Sequence, residues 1–217
     1  MRFGVLGTGV VGGAVAGRLV ELGHEVTMGA RTAGGEKAAG WARDAGERAH
    51  EGTFADAAAF GEVVINATAG AHSLEALHAA GSANLRGKLL VDIANALDHS
   101  RGFPPALTVC NTDSLGEQIQ AAFPEVRVVK TLNTVNTSVM VHPEVAPGGV
   151  VFMSGNDERA KAETAAMLVK IGWPRKDIVD LGDITTARGP EMYMALWLRL
   201  LRALGTPRFN LAIVRGS

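Results

Sequence analysis

Six residues near the start of the chain have the types and spacing of a loop that binds a pyrophosphate. The run Gly7-Thr8-Gly9-Val10-Val11-Gly12 follows an apolar stretch over residues 3–6 and opens a helical pattern over residues 10–22. In such a strand–loop–helix, Gly7 permits a tight turn, Gly9 lets the backbone approach the phosphates, and Gly12 lets the helix pack against the strand. The start of the helix offers unpaired N–H groups to the phosphate oxygens. The sequence therefore predicts that Gly7, Thr8, Gly9, Val10, Val11 and Gly12 bind a dinucleotide; a glycine turn without a ligand is the alternative.

The end of the second predicted strand indicates which dinucleotide is bound. A site for NAD places Asp or Glu there, to accept hydrogen bonds from the ribose hydroxyls. This chain has Ala30-Arg31-Thr32 instead. The planar guanidinium of Arg31 suits a 2′-phosphate, Thr32 offers a hydroxyl, and Lys37 offers a second positive charge; both basic residues could also be solvated surface residues. The sequence predicts NADP(H) rather than NAD(H), bound in part by Ala30, Arg31, Thr32 and Lys37.

Further candidate site residues follow later strands, because ligands of open α/β sheets lie beyond the carboxyl ends of the strands. Ala67, Thr68 and Ala69 should pass along the nucleotide. His72 could reach the nicotinamide or lie at the surface as a helix cap. Asn95 could contact the nicotinamide ribose or carboxamide, or be an ordinary turn residue. The best candidates for the floor of a second-substrate pocket are Asn133, Thr134, Val135 and Asn136, since small and polar residues let a flat ring approach closely.

Strand-like and helical patterns alternate along most of the chain, which predicts an α/β fold. Continuous apolar runs cover residues 3–6, 25–28, 63–67, 88–93, 127–132, 150–154 and 178–181, and helical patterns cover residues 10–22, 36–49, 73–80, 157–171 and 185–204. Such an order is typical of a doubly wound, mainly parallel sheet with helices on both faces. The last helix is apolar on most of its circumference, so it needs burial on several sides, at a subunit interface or deep inside the domain.

Composition excludes several classes of protein. The 217 residues include 21 basic and 22 acidic ones, and 47% are hydrophobic. No basic run exceeds two residues, which argues against binding to nucleic acid or to an anionic membrane. The single cysteine, Cys110, cannot form an internal disulfide, and its apolar neighbours predict a buried, inert thiol. No signal peptide or membrane span is evident, so we expect a cytoplasmic protein.

Neither a nucleophile–base pair nor a cluster of metal ligands stands out in the sequence. The six histidines include no H-E-x-x-H or comparable spacing. We therefore expect no metal and no acid–base side chain with a catalytic role.

Several segments together resemble the coenzyme F420-dependent NADP oxidoreductases over nearly the whole chain. Besides the glycine loop and Gly29-Ala30-Arg31, these are Val91-Asp92-Ile93-Ala94-Asn95, Val129-Lys130-Thr131-Leu132-Asn133-Thr134-Val135-Asn136 and Ala187-Arg188-Gly189 with Glu191. The resemblance implies a Rossmann domain over residues 1–138, and a small C-terminal α/β and helical region over residues 139–217 that serves substrate binding and dimerisation. It also implies a homodimer in which hydride moves directly between NADP(H) and the deazaflavin F420.

Other features leave alternatives open for the second substrate. Ala33-Gly34-Gly35 separates Arg31 from Lys37, and no basic cluster marks a place for the phosphate and polyglutamate tail of F420. Arg188, Arg199 and Arg202 are candidates, although Arg188 could simply pair with Glu191. An NADPH-dependent reductase of flavin, ferric chelate or another small acceptor, and a non-catalytic NADP(H) sensor, are the alternatives. Reductases of the pyrroline-5-carboxylate or β-hydroxyacid type add a large helical domain, for which the roughly 35 residues after Leu181 are too few.

Overall fold

The fold is described from a computed structural model covering residues 1–216. In this part of the chain the strands are β1 (Arg2–Leu6), β2 (Glu25–Ala30), β3 (Ala49–Thr53), β4 (Val63–Asn66), β5 (Leu89–Asp92), β6 (Leu97–Asp98), β7 (Ala106–Leu107), β8 (Arg127–Thr131), β9 (Val151–Gly155) and β10 (Ile178–Gly182). The α-helices are α1 (Val10–Glu21), α2 (Glu36–Ala45), α3 (Phe54–Phe60), α4 (Ser73–Ala80), α5 (Ser82–Leu85), α6 (Leu115–Ala122), α7 (Thr137–Val141), α8 (Glu158–Ile171) and α9 (Arg188–Leu204).

Eight strands form one sheet in the order β10-β9-β8-β5-β4-β1-β2-β3. The six adjacent strands β8, β5, β4, β1, β2 and β3 are parallel. Their order is that of the dinucleotide-binding Rossmann sheet. β9 runs antiparallel to β8, and β10 runs parallel to β9. β6 and β7 form a separate two-stranded ribbon. The predicted α/β class and mainly parallel sheet are confirmed, and the two strands within residues 139–217 extend the same sheet.

Helices bury both faces of the central strands. Val5 of β1 packs into a core on the side of α1 and α8, whereas its neighbour Leu6 packs into a second core on the side of α3, α4 and α6. Because successive side chains of a strand point to opposite faces, a strand covered on both sides needs apolar residues at every position. This explains why residues 3–6 of β1 and residues 63–65 of β4 are continuous apolar runs.

The predicted helix over residues 36–49 is too long. α2 ends at Ala45, where Gly46 adopts a φ of 89°, and Ala49 already begins β3. β3 is polar and lies at the edge of the sheet, so its sequence lacks the apolar run of a central strand. α3 follows directly, with Thr53 and Asp56 forming a capping box.

The last helix has one buried face rather than burial all round. α9 begins at Arg188, after a 3-10 turn over Ile184–Ala187, and buries Met194, Trp197 and Leu198. Leu196 and Leu204 are 53% and 54% exposed. Of the two expected ways to bury this helix, a position deep inside the domain is therefore wrong, since Arg199 and Arg202 lie on the exposed side; burial at a subunit interface stays a prediction.

The chain after α9 turns back onto the sheet. The Val150 amide donates to the Leu211 carbonyl oxygen at 2.8 Å, and Asn210 Nδ2 donates to the Val150 carbonyl oxygen at 3.0 Å. The Phe209 ring stacks on Trp197 with a centroid distance of 5.4 Å. These contacts hold residues 209–211 of the C-terminal segment, which spans residues 205–216, against α9 and the start of β9.

Two other features bear on the sequence predictions. Cys110 is exposed, so the predicted buried thiol is wrong. The residue lies in the loop after β7, next to Asn111, whose φ is 65°. Within residues 1–216, none of the helices combines the length and the apolar character needed to span a bilayer.

Candidate functional site

The glycine loop has the geometry that the sequence predicts. Gly7 has a φ of 116°, which favours glycine, and its amide donates to the Gly29 carbonyl oxygen at 3.0 Å. A Cβ on Gly12 would overlap the Gly7 carbonyl oxygen, so the close approach of α1 to the loop requires glycine there. A Cβ on Gly9 would meet nothing within 4 Å, which leaves the backbone accessible to a ligand.

A groove of about 790 Å³ begins at this loop and runs over the ends of β2 and β4. Its lining includes predicted residues from three segments, namely Gly7, Thr8, Gly9, Ala30, Arg31, Thr32, Ala67, Thr68, Ala69 and His72. Lys37 lies on the first turn of α2, outside this lining. Val10, the first residue of α1, is also outside the lining and is 82% exposed. The structure thus brings most of the predicted cofactor-binding residues to one groove.

The part of the groove around Arg31 fits a phosphate better than a ribose diol. The end of β2 carries Arg31 and Thr32, both exposed, and no carboxylate. The loop that follows is held by Glu51 on β3, which accepts a hydrogen bond from the Gly34 amide at 2.9 Å. A guanidinium and a hydroxyl at this position suit the 2′-phosphate of NADP(H).

A smaller pocket of about 250 Å³ meets the groove at Ala67 and Thr68. The other residues that line it are Val11, Ile93, Ala94, Asn95, Asn133, Val135, Asn136, Thr137, Met140, Met194 and Trp197. None of these lining residues is charged. Of the four residues predicted for the floor of the second-substrate pocket, only Thr134 is missing from this lining, and it is 2% exposed. His72 is also absent from the lining of the smaller pocket. It lies in the groove, where its Nδ1 is 3.5 Å from Glu75 Oε2.

Two asparagines on neighbouring strand ends lock each other in place in the smaller pocket. Asn95 Nδ2 donates to the Asn133 carbonyl oxygen at 2.8 Å, and Asn133 Nδ2 donates to Asn95 Oδ1 at 3.0 Å. Asn133 Nδ2 also donates to the Pro190 carbonyl oxygen at 3.1 Å, which ties the pocket to α9. Leu132, just before Asn133, has a left-handed φ of 59°, a conformation that costs a non-glycine residue about 1–2 kcal/mol. A strained residue beside two fixed amides is typical of a functional site.

Asn136 has a different local role. Its Oδ1 accepts a hydrogen bond from the Ser138 amide at 3.0 Å and so caps the short helix α7. The cap holds Thr137 and Met140 at the edge of the smaller pocket.

Lys130, Asp92 and Glu191 form a buried charge cluster beside the smaller pocket. Lys130 Nζ lies 2.8 Å from Asp92 Oδ2 and 2.9 Å from Glu191 Oε1, and none of the three side chains is more than 5% exposed. Burial by itself lowers the pKa of the Lys130 ammonium, but the two carboxylates outweigh burial and hold that pKa above its ordinary value. The lysine therefore stays charged at neutral pH.

The buried charge cluster connects the loop after β4, which carries Thr68, to α9. Asp92 accepts a hydrogen bond from Asn66 Nδ2 at 2.8 Å, and Asn66 Oδ1 accepts one from the Thr68 hydroxyl at 2.7 Å. At the other end, Glu191 accepts hydrogen bonds from the amides of Leu115 and Gly116, at the start of α6. These contacts fix the relative positions of Thr68, the end of β5 and the first turn of α9.

The predicted pairing of Arg188 with Glu191 is wrong. Arg188 instead donates two hydrogen bonds to Glu117 on α6, at 2.6 and 2.8 Å. Glu191 is drawn inward by Lys130, so its side chain is not available on the helix surface.

Sequence reasoning missed the part of the site that comes from distant elements. Met194 and Trp197 reach the smaller pocket from α9, and Phe54, Ala76 and Ala79 line the groove from α3 and α4. No local motif marks these residues. Their only signal is their place on the apolar faces of helices.

Comparison with known proteins agrees with this geometry. Residues 2–96 match the family described as NADP oxidoreductase, coenzyme F420-dependent. A protein of Arthrobacter sp. FB24, provisionally assigned as an F420-dependent NADP-reductase, is 53% identical, with 99% of this chain and 100% of that chain covered and a TM-score of 0.93. A search of curated proteins finds no significant match.

More distant structures share the fold alone. A hypothetical protein from Sinorhizobium meliloti is 20% identical with a TM-score of 0.67, and the match covers 100% of this chain and 96% of that chain. The reductive aminase of Aspergillus terreus, in complex with NADPH and ethyl-5-oxohexanoate, is also 20% identical, with a TM-score of 0.68; the match covers 93% of this chain and 62% of that chain.

The resemblance seen in the sequence, the Rossmann fold and the choice of NADP(H) are thereby confirmed. This chain belongs to the coenzyme F420-dependent NADP oxidoreductase family and is an NADP(H)-dependent oxidoreductase.

Proposed function

We propose that this chain transfers hydride between NADP(H) and the deazaflavin coenzyme F420. The observation that carries the proposal is the uncharged pocket of about 250 Å³, which adjoins the nucleotide groove at Ala67 and Thr68. A flat ring placed there would lie next to the nicotinamide end of a nucleotide held by the glycine loop. The similarity to the Arthrobacter protein, provisionally assigned as an F420-dependent NADP-reductase, supports the same acceptor.

In this proposal the residues of the chain bind the two substrates and align their rings. Bound NADPH supplies the hydride from its nicotinamide ring. The glycine loop holds the pyrophosphate, and Arg31 with Thr32 holds the 2′-phosphate. Asn95 and Asn133, each fixed by the other, orient polar groups of the two rings. Apolar residues such as Ile93 and Met194 exclude water from the pocket. Direct transfer between aligned rings requires no acid or base side chain.

The remaining alternatives use the same groove with a different partner. A reductase of flavin or ferric chelate would place another acceptor in the pocket. A protein that only senses NADP(H) would need no open pocket beside the nicotinamide, and the pocket argues against that role.

The test is hydride transfer from NADPH to oxidised F420, followed by the loss of deazaflavin absorbance. We expect turnover with F420 and much slower turnover with FMN or a ferric chelate at the same concentration. Equal or faster reduction of FMN or the chelate would contradict the assignment of F420. Binding of NADPH with reduction of none of the three would favour the sensor.

We also propose how the chain is divided, assembled and located. Residues 1–138 bind NADP(H), and residues 139–217 complete the second-substrate pocket through α9 and form a homodimer. The exposed leucines Leu196 and Leu204 on α9 support the dimer, since an interface would cover them. A chain with one cysteine and nearly balanced charge fits a cytoplasmic location.

A further inference from the structure

Trp197 is the only aromatic side chain among the residues, within 1–216, that line the smaller pocket. It reaches the pocket from the middle of α9 and is 8% exposed. Met194, one turn earlier on the same helix, lines the pocket beside it. The rest of the lining is aliphatic, hydroxyl or amide. Among the lining residues, the indole is therefore the one flat aromatic side chain that a second substrate could meet.

The C-terminal segment backs this indole. Phe209 stacks on Trp197 with ring centroids 5.4 Å apart and planes inclined by 23°. Phe209 is itself held by its neighbours, since Asn210 and Leu211 are hydrogen-bonded to Val150. Leu97 and Leu107, from the ribbon of β6 and β7, pack in the same cluster. Trp197 is thus held between the pocket and a pinned phenylalanine.

We propose that Trp197 is the residue that selects a flat ring as the hydride acceptor, and that Phe209 is a positioning residue that acts through Trp197. The proposal rests on the proposed function, because it places the acceptor in the smaller pocket. Offset stacking on an indole favours a planar heteroaromatic ring such as a deazaflavin over a small carbonyl or imine that has no aromatic ring. Phe209 restricts the indole to one orientation, so the ring meets a preformed wall.

The test compares Trp197→Ala, Trp197→Phe and Phe209→Leu with Trp41→Phe. Trp41 packs against α1, away from the pocket, so its variant controls for the loss of a tryptophan. We expect Trp197→Ala to raise KM for F420 by about tenfold, and Trp197→Phe and Phe209→Leu to raise it by about two- to fivefold. The Kd for NADPH should stay within about twofold in all four variants, because the groove is unchanged. The double variant Trp197→Ala with Phe209→Leu should be no worse than Trp197→Ala alone.

Tryptophan fluorescence gives a readout that does not depend on turnover. Titration with oxidised F420, in the presence of NADP⁺, should quench the emission of the wild type and of Trp41→Phe, and Trp197→Phe should lose most of that quenching. Unchanged KM for F420 and unchanged quenching in Trp197→Phe would overturn the proposal. Equal losses of NADPH binding and F420 binding would also overturn it, since they would indicate a structural role only.

Failure of the proposed function would look different. A wild type that binds NADPH but reduces no F420 contradicts hydride transfer to that acceptor. The quenching titration, run with F420 and with FMN on the wild type and on Trp197→Phe, still decides whether a flat ring lies against Trp197, because Trp173, which donates to the carbonyl oxygen of the pocket residue Met140, is present in both proteins.

Discussion

Arg31 is the residue on which the choice of nucleotide most directly depends. It is exposed in the groove at the end of β2, where an NAD site would have Asp or Glu and this chain has Ala30-Arg31-Thr32. We predict that Arg31→Ala weakens NADPH binding by about 1–3 kcal/mol, the scale of losing a charged hydrogen bond. NADH binding should change little, because it lacks the 2′-phosphate. Calorimetric titration of both nucleotides measures the difference.

Lys37→Ala is the matched control for that variant. Lys37 is also exposed and positively charged, but it lies outside the lining of the groove. Lys37→Ala should weaken NADPH binding by less than Arg31→Ala does. Equal weakening of NADPH and NADH by Arg31→Ala would contradict the 2′-phosphate assignment.

At the scale of elements, the packing of α1 on the glycine loop sets the phosphate site. A methyl group on Gly12 would overlap backbone, whereas one on Gly13 would meet nothing within 4 Å. We predict that Gly12→Ala destabilises the fold by about 1–3 kcal/mol and weakens NADPH binding at least tenfold, since α1 must move. Gly13→Ala, in the same turn, should stabilise the helix by about 0.5–1 kcal/mol. Thermal unfolding and nucleotide titration of both variants test this; similar behaviour of the two would show that close packing is not the cause.

α6 and α9 are joined by an ion pair whose strength depends on pH. The hydrogen bonds from Arg188 hold the pKa of Glu117 below its ordinary value, although burial opposes them. A carboxyl with a lowered folded-state pKa adds stability above its unfolded value, about 4.3, and loses it as pH falls through the lower folded value. Glu117→Gln should therefore cost about 1 kcal/mol at pH 7, and the difference from wild type should vanish at strongly acid pH.

Denaturant unfolding over a range of pH measures this effect. Glu125→Gln is the control, because Glu125 pairs with Arg86 at 3.1 Å on the exposed surface. This substitution should change the free energy of unfolding little at any pH. A difference between Glu117→Gln and wild type that persists unchanged into strong acid would exclude the ion pair as its source.

Some elements were predictable from the sequence because their causes are local. The glycine loop, the strand ends at Thr68 and Asn95, and the basic residue Arg31 all follow from short runs of sequence and the geometry of a parallel sheet. β3 and α6 were not predicted. β3 is a polar edge strand; α6 is a short helix whose local start signal, Ser114 capping the Glu117 amide, was overlooked, and whose start is also held by Glu191, far away in the chain. The buried charge cluster and Trp197 depend on where α9 docks, which no local pattern specifies.

At the scale of the whole molecule, α9 presents its second face to solvent. Leu196 and Leu204 are each more than half exposed on that face. We predict that the protein is a homodimer and that Leu196→Asp shifts it to monomer, measured by light scattering coupled to size exclusion. Val169→Asp, at a 44% exposed position on α8, is the control and should leave the dimer intact. A monomeric wild type, or a dimer unaffected by Leu196→Asp, would exclude this helix as the interface.

The absence of charged side chains from the lining of the smaller pocket has a consequence for ionic strength. Added salt screens the attraction between Arg31 and a phosphate, because Arg31 is exposed in the groove. It has much less effect on contacts between a ring and the apolar and amide groups of the smaller pocket. The Kd of NADPH should therefore rise with salt, whereas the part of acceptor binding that comes from ring stacking should change little, so the salt dependence would separate charge contacts from ring contacts.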